Sequence, residues 1–279
     1  MTRDYKIIFT SVGEIASIPN SQDIYESLCK TLAEKGYKNL NRAEDNGGAF
    51  ILSCVMPENT VLRPLLPLDF GKRKITSEDY PVLKKIKKIK YICNDLISCI
   101  TGENFYTQVL ENLSAEKWDV QNGILATSHG QINYNPEEYI TSVRRLEKGM
   151  FVTKSERLIK TNNSKFQIFL KTNLSNIEKL LGPGTRIDMG LYNIFEIESV
   201  KECYMLETKK GILISKYCPI DISKEIDIKN SYFRVGIQNG IKYIVEGSVL
   251  KPTRNFAGSY QENKKHQAKL NGRGYLLYI

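Results

Sequence analysis

The stretch Gly182-Pro183-Gly184-Thr185-Arg186-Ile187-Asp188-Met189-Gly190 lies between a predicted short helix and a predicted strand. Before it, residues 166–171 (FQIFLK) predict a strand, and Asn173 or Ser175 can cap a helix that runs to Leu181. After it, residues 191–199 predict a further strand. This part of the chain therefore has the order strand, helix, glycine loop, strand.

The glycine loop has a chemical and a structural interpretation. At Gly182, Gly184 and Gly190 the backbone N–H groups can approach a phosphate closely, and the guanidinium of Arg186 can bind the same group with two hydrogen bonds. The structural alternative is that Gly182 ends the helix and a tight turn follows. Spacing alone favours the turn.

The N-terminal residues supply the matching half of the fold. Residues 5–10 predict a strand, Ile24, Leu28 and Leu32 share one helical face, and residues 49–55 predict a second strand. Without a long insertion, the order is βαββαβ, so the fold class is α+β with a ferredoxin-like (RRM-like) domain over residues 1–200. Residues 201–279 predict a smaller β-rich, RRM-like domain, with a tight hairpin turn at Asn239-Gly240.

Two segments inside the insertion stand out. Residues 82–100 follow helical spacing and carry five lysines on the polar face, among them Lys84 and Lys88. Residues 116–147 show no hydrophobic period, so we expect a thumb-like insertion that contributes little to the core. Arg144 and Arg145 lie at its foot, where they either bind phosphate or form a solvated pair.

Charge is distributed unevenly along the 279 residues, whose formal net charge is +9. Residues 1–140 contain 16 basic and 18 acidic groups, a net of −2, whereas residues 141–279 contain 24 and 13, a net of +11. This asymmetry indicates a polyanionic partner, although a generally lysine-rich surface would give the same count. With no apolar run of membrane-spanning length and no signal-like start, we expect a cytoplasmic protein without a membrane partner.

Motifs for catalysis and for metal or cofactor binding are missing from the sequence. It contains no phosphate-binding G-x-x-x-x-G-K-[ST] loop, and neither His129 nor His266 stands in a known catalytic spacing. The six cysteines form no C-x-x-C pair, which favours free thiols over a zinc site. We therefore expect no enzyme activity, no cofactor and no metal.

Several segments together resemble the RAMP superfamily of CRISPR RNA-binding proteins. A glycine loop before the last strand of a ferredoxin-like domain is typical of that superfamily. The ordered set is similar to the five-type subunit of type III-A (Csm) effector complexes. The segments that carry the resemblance are residues 21–29 (SQDIYESLC), 65–68 (LLPL) with the helix at 84–92, 211–219 (GILISKYCP) and 246–249 (EGSV).

The resemblance implies a non-catalytic subunit that acts in antiviral defence. Such a subunit holds the 5′ repeat-derived tag of the CRISPR guide RNA, and it contacts the large polymerase-like subunit and the backbone RAMP subunit. The RNA-binding residues that we predict are Lys84, Lys88, Arg144, Arg145, Gly182, Gly184, Arg186 and Gly190.

Two other functions remain open at this point. One is a metal-independent endoribonuclease that processes guide RNA, for which the candidate acids and bases are His129, Tyr134, Lys148 and His266. The other is an interaction subunit that does not contact RNA. An RNA affinity that falls steeply with salt would distinguish the two RNA-binding functions from the interaction subunit that does not contact RNA.

Overall fold

The computed structural model describes residues 2–37, 50–100, 104–147, 150–189, 193–204, 210–254, 256, 258–263 and 268–278. They form an α+β structure with more strand than helix, which confirms the predicted class. Among these residues, no helix has the length and apolar character that crossing a membrane requires.

The helices are α1 (Ser21–Glu34), α2 (Tyr80–Lys88), α3 (Ile97–Ile100), α4 (Phe105–Ser114), α5 (Ile177–Leu180) and α6 (Ile222–Glu225). The strands of the first half are β1 (Arg3–Ser11), β2 (Phe50–Leu52), β3 (Met56–Pro57), β4 (Thr60–Leu62), β5 (Tyr91–Cys93), β6 (Trp118–Gln121), β7 (Ile124–Thr127) and β8 (Glu137–Glu147). The remaining strands are β9 (Met150–Lys160), β10 (Lys165–Thr172), β11 (Arg186–Asp188), β12 (Ile194–Cys203), β13 (Gly211–Leu213), β14 (Val235–Gln238), β15 (Ile241–Ile244), β16 (Val249–Leu250), β17 (Gly258–Asn263), β18 (Ala268–Arg273) and β19 (Leu276–Tyr278).

The central sheet joins strands that are far apart in sequence. Its order is β11-β12-β1-β10-β2, all pairings are antiparallel, and β3 also pairs with β10. In its middle, Ile7 lies opposite Ile168 on one side and Val200 on the other. The two neighbours of β1 are thus β10, which precedes the glycine loop, and β12, which follows it after β11.

One face of this sheet is covered by α1 and α5. Alternate residues of β1 are buried there, and the rings of Phe9, Phe166 and Phe195 pack with centroids 5.4–6.0 Å apart. The apolar stripe of α1 faces the same core, as its period predicts. The helix begins one residue after Asn20, whose side chain accepts hydrogen bonds from the N–H groups of Gln22 and Asp23, so Asn20 is the N-cap.

The insertion is longer and more ordered than the sequence predicts. It runs from β4 to β9 and contains a four-stranded sheet, β4-β5-β7-β6, against which α2 and α4 pack. Trp118, Leu125 and Tyr134 are all buried, so the expectation that residues 116–147 contribute little to the core is wrong. The two short strands of the β6–β7 hairpin are each four residues long, too few to establish a hydrophobic period.

The predicted helix over residues 82–100 is also wrong in its middle, because only residues 82–88 and 97–100 are α-helical. α2 ends at Lys88, because Ile89 is extended at φ −61° and ψ 124°. Residues Tyr91–Cys93 then form β5, which pairs with β4 on one edge and with β7 on the other. Ile89 and Ile92 remain buried in the same core. The apolar spacing that predicts one helix therefore arises here from the end of a helix followed by a short strand.

The C-terminal residues form three small sheets, β16-β13-β19, β14-β15 and β17-β18. Their apolar side chains join the insertion in one core, where Ile212, Ile214 and Tyr275 accompany Phe169 from β10. The proline-rich segment that follows β4 forms neither a helix nor a strand, as predicted. Arg63 N–H donates to the Lys90 carbonyl and Leu65 N–H to that of Gly247, which ties the segment to the C-terminal part.

Candidate nucleic-acid interface

The β8–β9 hairpin starts from the end of the central sheet where β1 ends and β10 begins. Its base is held by paired backbone hydrogen bonds between Ile15 and Ile159 and by a 2.6 Å hydrogen bond between the Ser11 and Thr161 hydroxyls. On β8, a hydrogen bond to Glu14 raises the pKa of Tyr139. The hairpin is therefore anchored on the segment that follows β1.

Beyond this base the hairpin projects from the body. Eleven residues of β8 pair with eleven of β9, and within the described residues neither strand pairs with a third. At about 3.3 Å per residue, each strand is roughly 33 Å long. Ile140, 71% exposed, shows that the surface is open to solvent already near the base.

Arg144 and Arg145 lie near the far end of this hairpin, opposite Thr153 and Val152. They belong to β8 and not to an irregular loop. The outer residues 143–154 contain four cationic residues and one acidic residue, whereas residues 137–142 with 155–160 contain two cationic and three acidic residues. Positive charge is thus concentrated at the projecting end.

The glycine loop is shorter than predicted, because Arg186–Asp188 forms β11. Gly184 has φ +81° and its N–H donates to the Ile197 carbonyl at 2.8 Å, while the Thr185 N–H donates to the Gly182 carbonyl at 3.1 Å. These two N–H groups are occupied within the chain. The loop is also held to the end of α1, where the Lys35 ammonium donates to the Leu180 carbonyl and to the Thr185 hydroxyl.

Arg186 leaves the loop with an exposed guanidinium. Its Nε lies 3.5 Å from the Glu196 carboxylate, and two thirds of the side chain is exposed. An ion pair at this distance and exposure is weak, so Arg186 can exchange Glu196 for a phosphate. Gly190 lies outside the described residues.

Lys84 and Lys88 are exposed on α2, as predicted. Lys85, on the same helix, lies 3.0 Å from the Asp119 carboxylate, and its hydrogen bond lowers the pKa of that group. The carboxyl end of α2 abuts the β6–β7 turn, where the Lys90 N–H donates to the Gly123 carbonyl at 2.7 Å.

The same turn connects α2 to the base of the hairpin. The Asn122 side-chain amide donates to the Tyr134 carbonyl at 2.9 Å and to the Asn135 side chain at 3.2 Å. Asn135 in turn receives a hydrogen bond on its carbonyl from Asn162, just after β9. The lysine helix therefore flanks the hairpin base on one side.

The turn between β11 and β12, which follows the glycine loop, contacts the hairpin anchor from the β12 side. Val12 N–H donates to the Ile194 carbonyl and Ala16 N–H to the Asn193 side chain, so the β11–β12 turn contacts the segment that anchors the hairpin. The lysine helix α2, the region of the glycine loop and the β8–β9 hairpin thus lie around one end of the sheet. Sequence analysis missed Lys35 and Asn122, which hold this arrangement, since neither lies in a motif.

Within the described residues, the face of the sheet opposite the α1 core offers no platform for stacking bases. Among the described residues, β1 and β12 present Lys6, Ile8, Thr10, Glu196 and Glu198 there. Single-stranded RNA commonly stacks on aromatic side chains of such a sheet. The one aromatic side chain of β10 on that face is Phe169, which is buried against Tyr275 at a centroid distance of 6.2 Å.

The candidate nuclease residues are not assembled into a site within the described part of the chain. Tyr134 is buried between Tyr91 and Phe166, and burial raises its pKa to about 12. His129 is exposed in the turn after β7. Lys148 and His266 lie outside the described residues, among which no cluster of potential metal ligands occurs.

Similarity to solved structures extends over nearly the whole chain. A chain of the Csm3-Csm4 subcomplex in the type III-A CRISPR-Cas interference complex matches with a TM-score of 0.61, 14% identity and coverage of 98% of this chain and 99% of that one. The chain has the fold of this type III-A subunit. A chain of the Csm1-Csm4 cassette in complex with pppApApA matches with a TM-score of 0.55, 14% identity and coverage of 99% and 98%.

The resemblance drawn from the sequence motifs is therefore confirmed at the level of the fold. No protein-family model and no curated protein matches the sequence. At 14% identity the likeness to these chains is one of fold.

Replacing Gly184 by alanine should lower the free energy of unfolding by about 1 kcal/mol, because an L-residue is strained at its φ of +81°. A Cβ at this position would meet no atom within 4 Å, so strain is the only expected effect. Urea denaturation measures it, with Lys179→Ala as an exposed control nearby. An unchanged midpoint would contradict the left-handed conformation. A loss of RNA-binding free energy larger than the loss of unfolding free energy would support the phosphate-binding interpretation of the loop.

Proposed function

We propose that this chain is a non-catalytic RNA-binding subunit of a type III CRISPR effector complex. In this proposal it holds the 5′ repeat-derived tag of the guide RNA and docks the large polymerase-like subunit and the backbone RAMP subunit. It would act in the cytoplasm, in antiviral defence. The single observation that carries the proposal is a projecting hairpin with a cationic end on a fold shared with type III-A subunits.

We further infer that the central sheet belongs to a ferredoxin-like domain. Numbered by their order in the core motif, β1, β2, β10 and β12 are strands one to four, and their sheet order is 4-1-3-2 with α1 and α5 as the two connecting helices. Residues 1–200 would then form the RAMP domain and residues 201–279 the second, RRM-like domain.

The projecting hairpin suits an elongated, flexible polyanion better than a small ligand. Cationic side chains along an exposed strand pair can contact successive phosphates without reading the bases. The base, flanked by Arg186 and by the lysines of α2, would continue the same electrostatic path.

We expect purified protein to bind a labelled repeat-derived RNA and to leave it intact in EDTA. If the four outer cationic residues of the hairpin contact phosphates, log K should fall with log salt with a slope of about −3, since single-stranded RNA gives about −0.7 per contact. Fluorescence anisotropy between about 50 and 300 mM salt, over which the Debye length falls from about 14 Å to about 6 Å, measures the slope.

His129→Ala is the matched control for activity. Cleavage that disappears in this variant while RNA binding persists would favour the endoribonuclease instead. Binding that does not depend on salt would exclude phosphate contacts and leave an interaction subunit without RNA contact.

A further inference from the structure

β14 exposes apolar side chains along an unpaired strand edge. Val235 is 58% exposed and Ile237 67%, and both lie on the same face of the strand. Within the described part of the chain, β14 pairs with β15 alone, whereas β15 is joined on its other side to Tyr217 by an isolated bridge. An exposed apolar edge strand is usually covered or blunted in native proteins.

The turn fixes which backbone groups point outward. Asn239 and Gly240 have φ values of +48° and +78°, which is the geometry of a two-residue type I′ hairpin. Gln238 and Ile241 therefore form a hydrogen-bonded pair, and the pairing alternates along the strands. Consistently, the Val245 N–H donates to the Arg234 carbonyl at 3.0 Å.

It follows that Val235 and Ile237 direct their N–H and C=O groups away from β15. The same two residues that expose apolar side chains also offer the unpaired backbone donors and acceptors. This combination is what β-strand addition uses, with main-chain hydrogen bonds for affinity and alternate side chains for specificity.

The charge on the β14–β15 hairpin distinguishes between possible binding partners of the β14 edge. Arg234 precedes β14 and Lys242 lies opposite Ile237, and both side chains are exposed. A second copy of the chain paired edge to edge would bring these cations together. RNA would satisfy the charges but not the apolar side chains. An extended protein segment with alternating apolar and acidic residues satisfies both.

We propose that β14 is a docking edge for such an acidic, extended segment of a partner protein, which adds a third strand to the β14–β15 sheet. This rests on the proposed function only in that the chain works within an assembly. It assigns the contact to one strand edge on the C-terminal part, and not to the hairpin β8–β9.

Photo-crosslinking within the assembly tests the docking edge. Full-length tagged chain with p-benzoylphenylalanine in place of Ile237 is expressed in its host, irradiated and purified, and the adduct is identified by mass spectrometry. The expected adduct is a peptide of one other protein, with alternating apolar and acidic residues, and it persists after nuclease treatment. The same photoreactive residue in place of Leu68, which is also half exposed, should not give this adduct.

A second variant tests the backbone contact. Ile237→Pro removes an outward N–H and leaves the hydrogen bonds to β15 in place, so the hairpin should persist. The protein identified by crosslinking should co-purify with tagged Ile237→Pro in an amount at least tenfold lower than with the unchanged chain. The amount of co-purified RNA should be the same. An RNA adduct, an adduct with a second copy, no adduct at position 237, or undiminished partner in Ile237→Pro would each overturn the docking edge. Bound guide RNA in the same preparations would show that the proposed function survives such a failure.

Discussion

Glu225→Ala should lower the free energy of unfolding by about 4 kcal/mol, a large fraction of the stability of an ordinary domain. The Glu225 carboxylate is 3% exposed and accepts hydrogen bonds from the Tyr217 hydroxyl and from the N–H groups of Ile220, Asp221 and Gly258. Its removal leaves those donors without this acceptor, and each unsatisfied buried donor costs about 1–3 kcal/mol.

Glu225→Gln sharpens this prediction because it keeps the size of the side chain. One carboxylate oxygen accepts from Ile220 and Asp221, and the other from Tyr217 and Gly258. Whichever way the amide is turned, its NH₂ group faces at least one N–H donor. We expect a loss of about 2 kcal/mol in chemical denaturation. Glu178→Gln, at an exposed position of α5, should leave the midpoint unchanged, and equal midpoints for both variants would contradict the buried network.

Arg144→Glu combined with Arg145→Glu should reduce RNA affinity on the order of 100-fold at low salt and barely change the melting temperature. The two substitutions remove two phosphate contacts and introduce repulsion, and the salt slope should become shallower by about 1.4. Stability should be retained because, within the described residues, this end of β8 pairs with β9 alone. Anisotropy titrations and thermal melting measure the two effects separately.

A charge-matched variant is the necessary control for this experiment. Lys224→Glu with Lys229→Glu changes the net charge equally, at exposed positions of the C-terminal part. It should weaken RNA binding only slightly, because it changes the overall electrostatic potential of the protein without removing a phosphate contact. Equal losses in the two double variants would mean that overall charge, and not the hairpin, governs binding.

The central sheet and the β14–β15 hairpin were predictable because their signals are local. The apolar stripe of α1, the strand before the glycine loop and the Asn239-Gly240 turn each depend on a few neighbouring residues, and all are present in the structure. The proline-rich segment was correctly predicted to be neither a helix nor a central strand, since proline lacks the donor that both need.

The insertion was not predictable in the same way. Tyr134 is buried against Tyr91 of β5 and Phe166 of β10, which are both about 30 or more residues away in sequence, so no local period indicates its burial. In residues 82–100 the helical spacing continues past Lys88, but pairing of β5 with β4 and β7 outweighs local propensity.

The candidate interface was likewise predictable in its residue types and not in its arrangement. Residue types identified Arg144, Arg145, Arg186, Lys84 and Lys88 as cationic candidates, but only the topology places their elements around one end of the sheet. The Glu225 network was missed because its donors are mostly backbone N–H groups, which a sequence does not distinguish.

Ultraviolet crosslinking of the assembled complex, with mass spectrometry of the RNA-linked peptides, tests the central claim most directly. We expect nucleotides of the 5′ repeat-derived tag to become linked to peptides from residues 137–160 of this chain, at the projecting hairpin. RNA linked elsewhere on the chain with the hairpin unlabelled, or no RNA linked to this chain at all, would contradict it.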